Sequence, residues 1–113
     1  MKIAVIGSRG FNNVKLLEEK LDTFKNEIIE LISGGAQGAD TLAEAWALAN
    51  NVPVKLYKPD WKRFAKAAGI KRNKQIIESC DYCIAFWDGK SKGTASSLKF
   101  CEKLNKPFEI VAY

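Results

Sequence analysis

No histidine occurs anywhere in the 113 residues, which removes every imidazole-based acid, base, nucleophile or metal ligand. Long apolar runs are missing as well. The opening run, Ile3–Ile6, is too short for a signal-peptide core and far too short for a membrane span. A cytoplasmic protein with no membrane partner is expected. Cysteine is scarce: Cys80, Cys83 and Cys101 make an odd number without a disulfide framework. Cys80-Asp81-Tyr82-Cys83 has redox spacing but lacks the remaining ligands of a zinc site. Buried free thiols are expected, with no metal and no cofactor.

What is present describes one packed unit. Hydrophobic residues make up 47% and charged residues 27%, a balance that excludes a disordered chain and allows a core. A single domain spanning residues 1–113 is the expectation from length. The formal net charge is +5, and the excess is local. Between positions 55 and 74 lie Lys55, Lys58, Lys62, Arg63, Lys66, Lys71, Arg72 and Lys74, opposed by Asp60 alone. Such a segment attracts phosphates, on a small nucleotide or on a polynucleotide, unless it is simply a solvated face.

Five short apolar runs recur at Ile3–Ile6, Ile28–Ile32, Val52–Tyr57, Tyr82–Trp87 and Phe108–Tyr113. Each is β-branched or aromatic and bounded by turn residues, as strands covered on both faces are. Helical spacing fills the gaps. Val14, Leu17, Leu21 and Phe24 follow the cap pair Asn12-Asn13, and Thr41-Leu42-Ala43-Glu44 matches a capping box ahead of Trp46 and Ala49. Ala95, Leu98, Cys101 and Leu104 form a third stripe, and residues 59–79 read as two short helices broken at Gly69. Alternating strands and helices predict an α/β fold, a five-stranded parallel sheet between two helical layers.

In a parallel sheet all strand-to-helix loops emerge at the carboxyl edge, where ligands bind. Three of these loops are glycine-bearing: Gly7-Ser8-Arg9-Gly10, Ser33-Gly34-Gly35-Ala36-Gln37-Gly38-Ala39-Asp40, and Asp88-Gly89-Lys90-Ser91-Lys92-Gly93-Thr94. Glycine lets main-chain N–H groups approach an anion, and a helix start supplies unpaired donors. Any one loop is more simply a tight turn, but three on one edge predict a phosphate cradle. Two familiar motifs are excluded. There is no G-x-G-x-x-G after the first strand, and a P-loop ending in Gly89-Lys90-Ser91 would need glycine at Ile84, inside a strand.

The ordered set "GSRG", "SGGAQGAD…AEAWA", "W…AGIKRN", "D…IAFWDGKSKGT" and a last proline before a short strand resembles the YspA-like group of the SLOG superfamily. That group is related to DNA-processing protein A and to the LOG phosphoribohydrolases. The resemblance runs through almost the whole chain and implies a Rossmann-like sheet in order 3-2-1-4-5 holding a nucleotide or nucleotide-derived ligand. It also points Arg72, with Asn73, towards that ligand. LOG enzymes carry P-G-G-x-G-T-x-x-E with a catalytic glutamate at the end; here Gly93-Thr94 is kept, Lys90 and Ser91 stand in place of the diglycine, and Ser97 stands where the acid would be.

Without histidine, acid–base chemistry falls to carboxylates. Asp40 and Glu44 are one helical turn apart and could share a crevice as catalytic residues, although capping explains them more simply. Asp60 and Asp88 read as a cap and a turn residue. Arg9 suits a bidentate phosphate contact. Ligand-binding candidates are therefore Gly7, Ser8, Arg9, Gly10, Ser33, Gly34, Gly35, Gly38, Arg72, Asn73, Asp88, Gly89, Ser91, Gly93 and Thr94. The first reading is a nucleotide-like small-molecule-binding domain that senses or sequesters its ligand. Hydrolysis of a nucleotide N-glycosidic bond comes second and binding of single-stranded DNA third. A homodimer is permitted by an apolar helix face but not specified.

Overall fold

The computed structural model describes residues 1–113. Its sheet begins with β1 (Lys2–Gly7), whose side chains alternate between two cores. Ile3 and Val5 join a cluster with Leu17, Leu21, Ala43 and Trp46 on one face. Ala4 and Ile6 join Ile76, Ile77, Leu98 and Cys101 on the other. A strand with four successive buried apolar residues, Ile3–Ile6, thus requires helices on both sides of the sheet, which is the three-layer arrangement expected from the alternation of elements.

The helix α1 (Val14–Asp22) starts at Asn13, whose side chain accepts from the Leu16 amide at 3.1 Å. It leads to β2 (Glu30–Ser33), α2 (Ala39–Ala49) and β3 (Val54–Leu56). After these come α3 (Trp61–Phe64), a 3-10 turn (Ala65–Ala67) and α4 (Ala68–Ser79). The chain closes with β4 (Tyr82–Trp87), α5 (Lys92–Lys103) and β5 (Phe108–Ala112). All pairings are parallel, in the order β3-β2-β1-β4-β5. The chain winds outward from β1 to β3, then returns to lay β4 on the opposite side of β1. The carboxyl ends of β1 and β4 therefore flank the switch point, where neighbouring crossovers diverge and leave a crevice.

Three local expectations are corrected. The segment Thr41–Glu44 is not a capping box: α2 already begins at Ala39, the Thr41 hydroxyl donates to the Ala36 carbonyl at 2.8 Å, and Glu44 accepts from Ser33. The break between the two short helices falls at Ala65, with φ 47°, and Gly69 lies inside α4. The two edge strands are not covered on both faces; β3 is exposed throughout and β5 only half-buried, because each has a single neighbour in the sheet. All three cysteines are free and buried, and burial pushes the Cys80 thiol up to about 11, as suits packing residues.

Candidate ligand cavity at the switch point

The turn after β1 and the turn after β4 enclose a cavity of about 470 Å³. Gly7, Ser8, Arg9 and Gly10 form one wall; Asp88, Ser91, Gly93 and Thr94 form the opposite one. Asp40 and Ala36 from the loop and helix after β2, and Arg72, Asn73 and Ile76 from α4, complete it. A second hollow of about 480 Å³ shares Arg9, Ala36, Arg72, Asn73 and Gly93 with the first and continues towards Gly34, Gly35 and Trp61. The three glycine-bearing loops thus open onto one continuous crevice.

Local chemistry fixes each wall. The Ser8 amide donates to the Phe86 carbonyl, and its hydroxyl accepts from the Asp88 amide, tying the first turn to the end of β4. Asp88 accepts from the amides of Lys90 and Ser91, and these bonds hold its carboxyl below the usual range. Ser91 caps α5 through the Thr94 amide. Within this framework the main-chain N–H groups of Arg9, Gly10 and Gly93 have no acceptor in the protein. They are free donors on the walls of a shared cavity.

Two guanidinium groups flank these donors. Arg72 donates from Nη1 to the Gly34 carbonyl at 2.7 Å and from Nε to Asn73 Oδ1 at 2.9 Å, which holds α4 against the loop after β2. A Cβ on Gly34 would lie 2.7 Å from Nη1, so the guanidinium occupies the space left by the missing side chain. Burial lowers the Arg72 pKa, Asp40 opposes the shift, and Arg9 adds to it by repulsion. Arg9 itself makes no ion pair; the one salt bridge of the chain joins Lys20 and Glu109. The cavity thus holds two guanidinium groups, Arg9 and Arg72, together with the carboxyl groups of Asp40 and Asp88.

Asp40 is the buried acid on the wall. Its Oδ2 accepts from the amides of Gly34 at 3.1 Å and Ala36 at 3.2 Å. Burial nevertheless raises its pKa to about 6, against the lowering effect of those bonds and of Arg72. Glu44 does not join it. Its Oε2 accepts from the Ser33 hydroxyl at 2.8 Å, and neither Glu44 nor Ser33 lines the inner cavity or the outer hollow. One helical turn places the two acids on the same side of α2, where Glu44 adds to the rise in the Asp40 pKa while its own carboxylate is held by Ser33.

Other candidates divide in the same way. Gly38 and Gly89 lie off both walls. Gly38 serves packing: a Cβ there would meet the Ser8 carbonyl oxygen and lie 2.7 Å from that of Arg9. Ser97, noted in the sequence only for standing in place of an acid, is buried and lines the inner cavity. Its position three residues beyond Thr94, one turn along the same face of α5, is the sequence signal for it.

Comparison with known proteins places this geometry. The profile described as "YspA, cpYpsA-related SLOG family" matches residues 1–64, more than half of the chain. The chain belongs to this SLOG family. It is 35% identical over 83 residues to the Gene 61 protein of Mycobacterium phage D29, covering 68% of this chain and 66% of the phage protein. DNA processing protein A from Streptococcus pneumoniae has the same fold, with a TM-score of 0.83 at 22% identity over 99% of this chain and 50% of that one. The Helicobacter pylori protein, described in terms of its single-stranded DNA binding mode, gives 0.80 at 21% identity, covering 100% of this chain and 66% of its own. TM1055 gives 0.74 at 19% identity over 95% and 71% of the two chains. The SLOG chain therefore spans half of one of these proteins and about two-thirds of the other three. No helix of the structure is long and apolar enough to cross a membrane.

Proposed function

We propose that this SLOG domain binds a nucleotide-derived small molecule through a phosphate group held at the switch point. The observation that carries the proposal is the convergence of the free amides of Arg9, Gly10 and Gly93 with the Arg9 and Arg72 guanidinium groups on one cavity. Fixed amide donors and two cations form a receptor for a compact oxyanion. The outer hollow continues past Arg72 to Trp61, which is 61% exposed. A flat aromatic moiety attached to the phosphate has room to lie there. Of the two acids that glycosidic-bond hydrolysis would draw on, Asp40 lines the wall, while Glu44, near enough to raise the Asp40 pKa, is hydrogen-bonded to Ser33 and does not line it. Binding without turnover is the simpler use of the site.

The test is a melting-temperature series with inorganic phosphate, nucleoside monophosphates, ADP-ribose and NAD. At a hundredfold excess over Kd a ligand adds about 2.7 kcal/mol, enough to raise the melting temperature by about 5 °C or more. No shift with any of them at millimolar concentration would remove this reading. Arg9 has no side-chain hydrogen bond or ion pair in the protein. Arg9→Ala is accordingly expected to weaken phosphate binding about tenfold, the loss of one charge-assisted contact, while leaving the unliganded melting temperature unchanged.

A second reading rests on the exposed cationic segment beside the outer hollow, where Lys66 lines the hollow with Trp61 and Lys62 and Arg63 follow Trp61 on α3. The single-stranded DNA binding described for the Helicobacter pylori neighbour gives that surface a use. Here an oligonucleotide would follow the lysine-rich rim and stack a base on Trp61. Its affinity would fall steeply with salt, and neutralising Lys62, Arg63 and Lys66 would flatten that dependence. Salt-independent or absent oligonucleotide binding leaves the small-molecule reading alone.

A further inference from the structure

The two edges of the sheet are unlike. At the β5 edge the charged side chains are engaged within the fold: Glu109 accepts from Lys20 and from the Tyr82 hydroxyl, and Lys106 donates to the Cys80 carbonyl. At the β3 edge they are free. None of Lys55, Lys58, Lys62, Arg63 and Lys66 forms an ion pair, and the one acid of this segment, Asp60, is occupied in accepting from the Arg63 amide as the cap of α3.

Main-chain geometry sets what this edge can hold. The Pro53 carbonyl accepts from the Leu31 amide and the Tyr57 amide donates to the Ser33 carbonyl, so residues 53, 55 and 57 bond inward to β2. The strand's period of two then turns the N–H and C=O groups of Val54 and Leu56 outward. The Lys58 amide, one step further on, also has no acceptor. On one face of the strand Val54 and Leu56 are 40% and 37% exposed; on the other the Lys55 ammonium lies over the Tyr57 ring. Leu56 in turn packs beside Gly35 at the margin of the outer hollow, whose walls carry Arg9, Lys66, Arg72 and Lys92 and no carboxylate.

We propose that β3 is a docking edge for an extended acidic segment of a partner protein, which adds a strand to the five-stranded sheet. Donors and acceptors at strand spacing match a polypeptide backbone and have no counterpart along a sugar-phosphate chain. Strand alternation fixes the pattern that is read: apolar side chains of the added segment fall beside Val54 and Leu56, and acidic ones fall beside Lys55. A second copy of this chain fits poorly, because antiparallel pairing of β3 with itself about Lys55 sets like charges opposite each other. The edge lies outside the inner cavity, and its use does not depend on what the cavity holds.

The test titrates capped octapeptides into the full chain and follows amide chemical shifts by NMR. An alternating valine–glutamate peptide is expected to move the amides of Val54, Leu56 and Lys58. It should bind about tenfold more tightly than its valine–lysine counterpart, and more tightly than oligoglutamate despite carrying half the charge. Leu56→Pro removes one outward donor and, on an edge strand, leaves the bonds to β2 in place; it should weaken the peptide about fivefold. Lys55→Gln combined with Lys58→Gln should weaken it to a similar degree and flatten its salt dependence. This pair alters no main-chain group, so it decides the matter if the proline disturbs the fold.

Absence of shifts at Val54, Leu56 and Lys58 with millimolar valine–glutamate peptide overturns the proposal, as does undiminished affinity in the lysine variant. Equal binding of oligoglutamate or oligothymidylate at these amides overturns it too, since the edge is then a general polyanion surface. Movement of the same amides with protein concentration alone makes the occupant a second copy and has the same consequence.

Discussion

Gly38→Ala is expected to destabilise the fold by about 3 kcal/mol or more, a large share of the ~5–15 kcal/mol that holds a domain of this size together. Two costs combine. Gly38 has φ 82° and ψ −125°, a region in which a side chain costs about 1–3 kcal/mol. The added Cβ would also press on the Ser8 carbonyl oxygen and lie 2.7 Å and 2.9 Å from the Arg9 carbonyl oxygen and carbon. These are main-chain atoms, so relief requires moving the turn after β1 away from the start of α2, and overpacking of that kind costs about 1–3 kcal/mol. Denaturant unfolding at constant m-value measures the loss. Gly69→Ala supplies the contrast, since Gly69 lies within α4 and a Cβ there meets nothing within 4 Å. That change should stabilise by about 0.5–1 kcal/mol. A Gly38→Ala cost below about 1 kcal/mol would show that the two loops are not locked together at this point.

Asp40→Asn should have an effect of similar size and opposite sign, set by pH. The folded-state pKa of Asp40 is raised to about 6 from an ordinary value of 3.8, with burial as the main cause. The unfolded chain therefore gives up this proton first, and rising pH drains stability between those two values. Above pH 6 the loss is complete and amounts to about 3 kcal/mol, a difference of roughly two pKa units at ~1.4 kcal/mol each. Asparagine carries no charge into the buried site. The variant should consequently be about 2–3 kcal/mol more stable than the parent chain at neutral pH, with the gain shrinking as pH falls and vanishing near about pH 3. Unfolding free energies at a series of pH values test this. A pH-independent difference would mean that Asp40 stays ionised in the folded state at an ordinary pKa.

The sequence was most legible where the physics is local. The strands β1 and β4, covered on both faces, announce themselves as unbroken apolar runs, and their observed bounds agree with Ile3–Ile6 and Tyr82–Trp87 to within a residue at each end. Parallel winding then requires the loops after the strands to share one edge, so the meeting of Gly7, Arg9, Asp88 and Gly93 was available before any coordinates. Less was legible where partners are distant in the chain. Arg72 reaches back 38 positions to the Gly34 carbonyl, and no periodicity encodes that contact. Glu44 and Asp40 share a helix side in any sequence reading, yet the Ser33 hydroxyl holds the Glu44 carboxylate and only Asp40 lines the cavity. Gly38 looked like part of an anion cradle because conformational freedom and close packing call for the same residue. The break at Ala65 went unseen because alanine is a poor predictor of a left-handed turn.

The free N–H groups of Arg9, Gly10 and Gly93 belong to the main chain, and every residue type except proline carries one. Their arrangement is encoded in dihedral angles rather than in side-chain identity. Any substitution at these positions other than proline therefore keeps all of these groups. Changing the side chains around the opening would alter its shape and charge while leaving these donors in place.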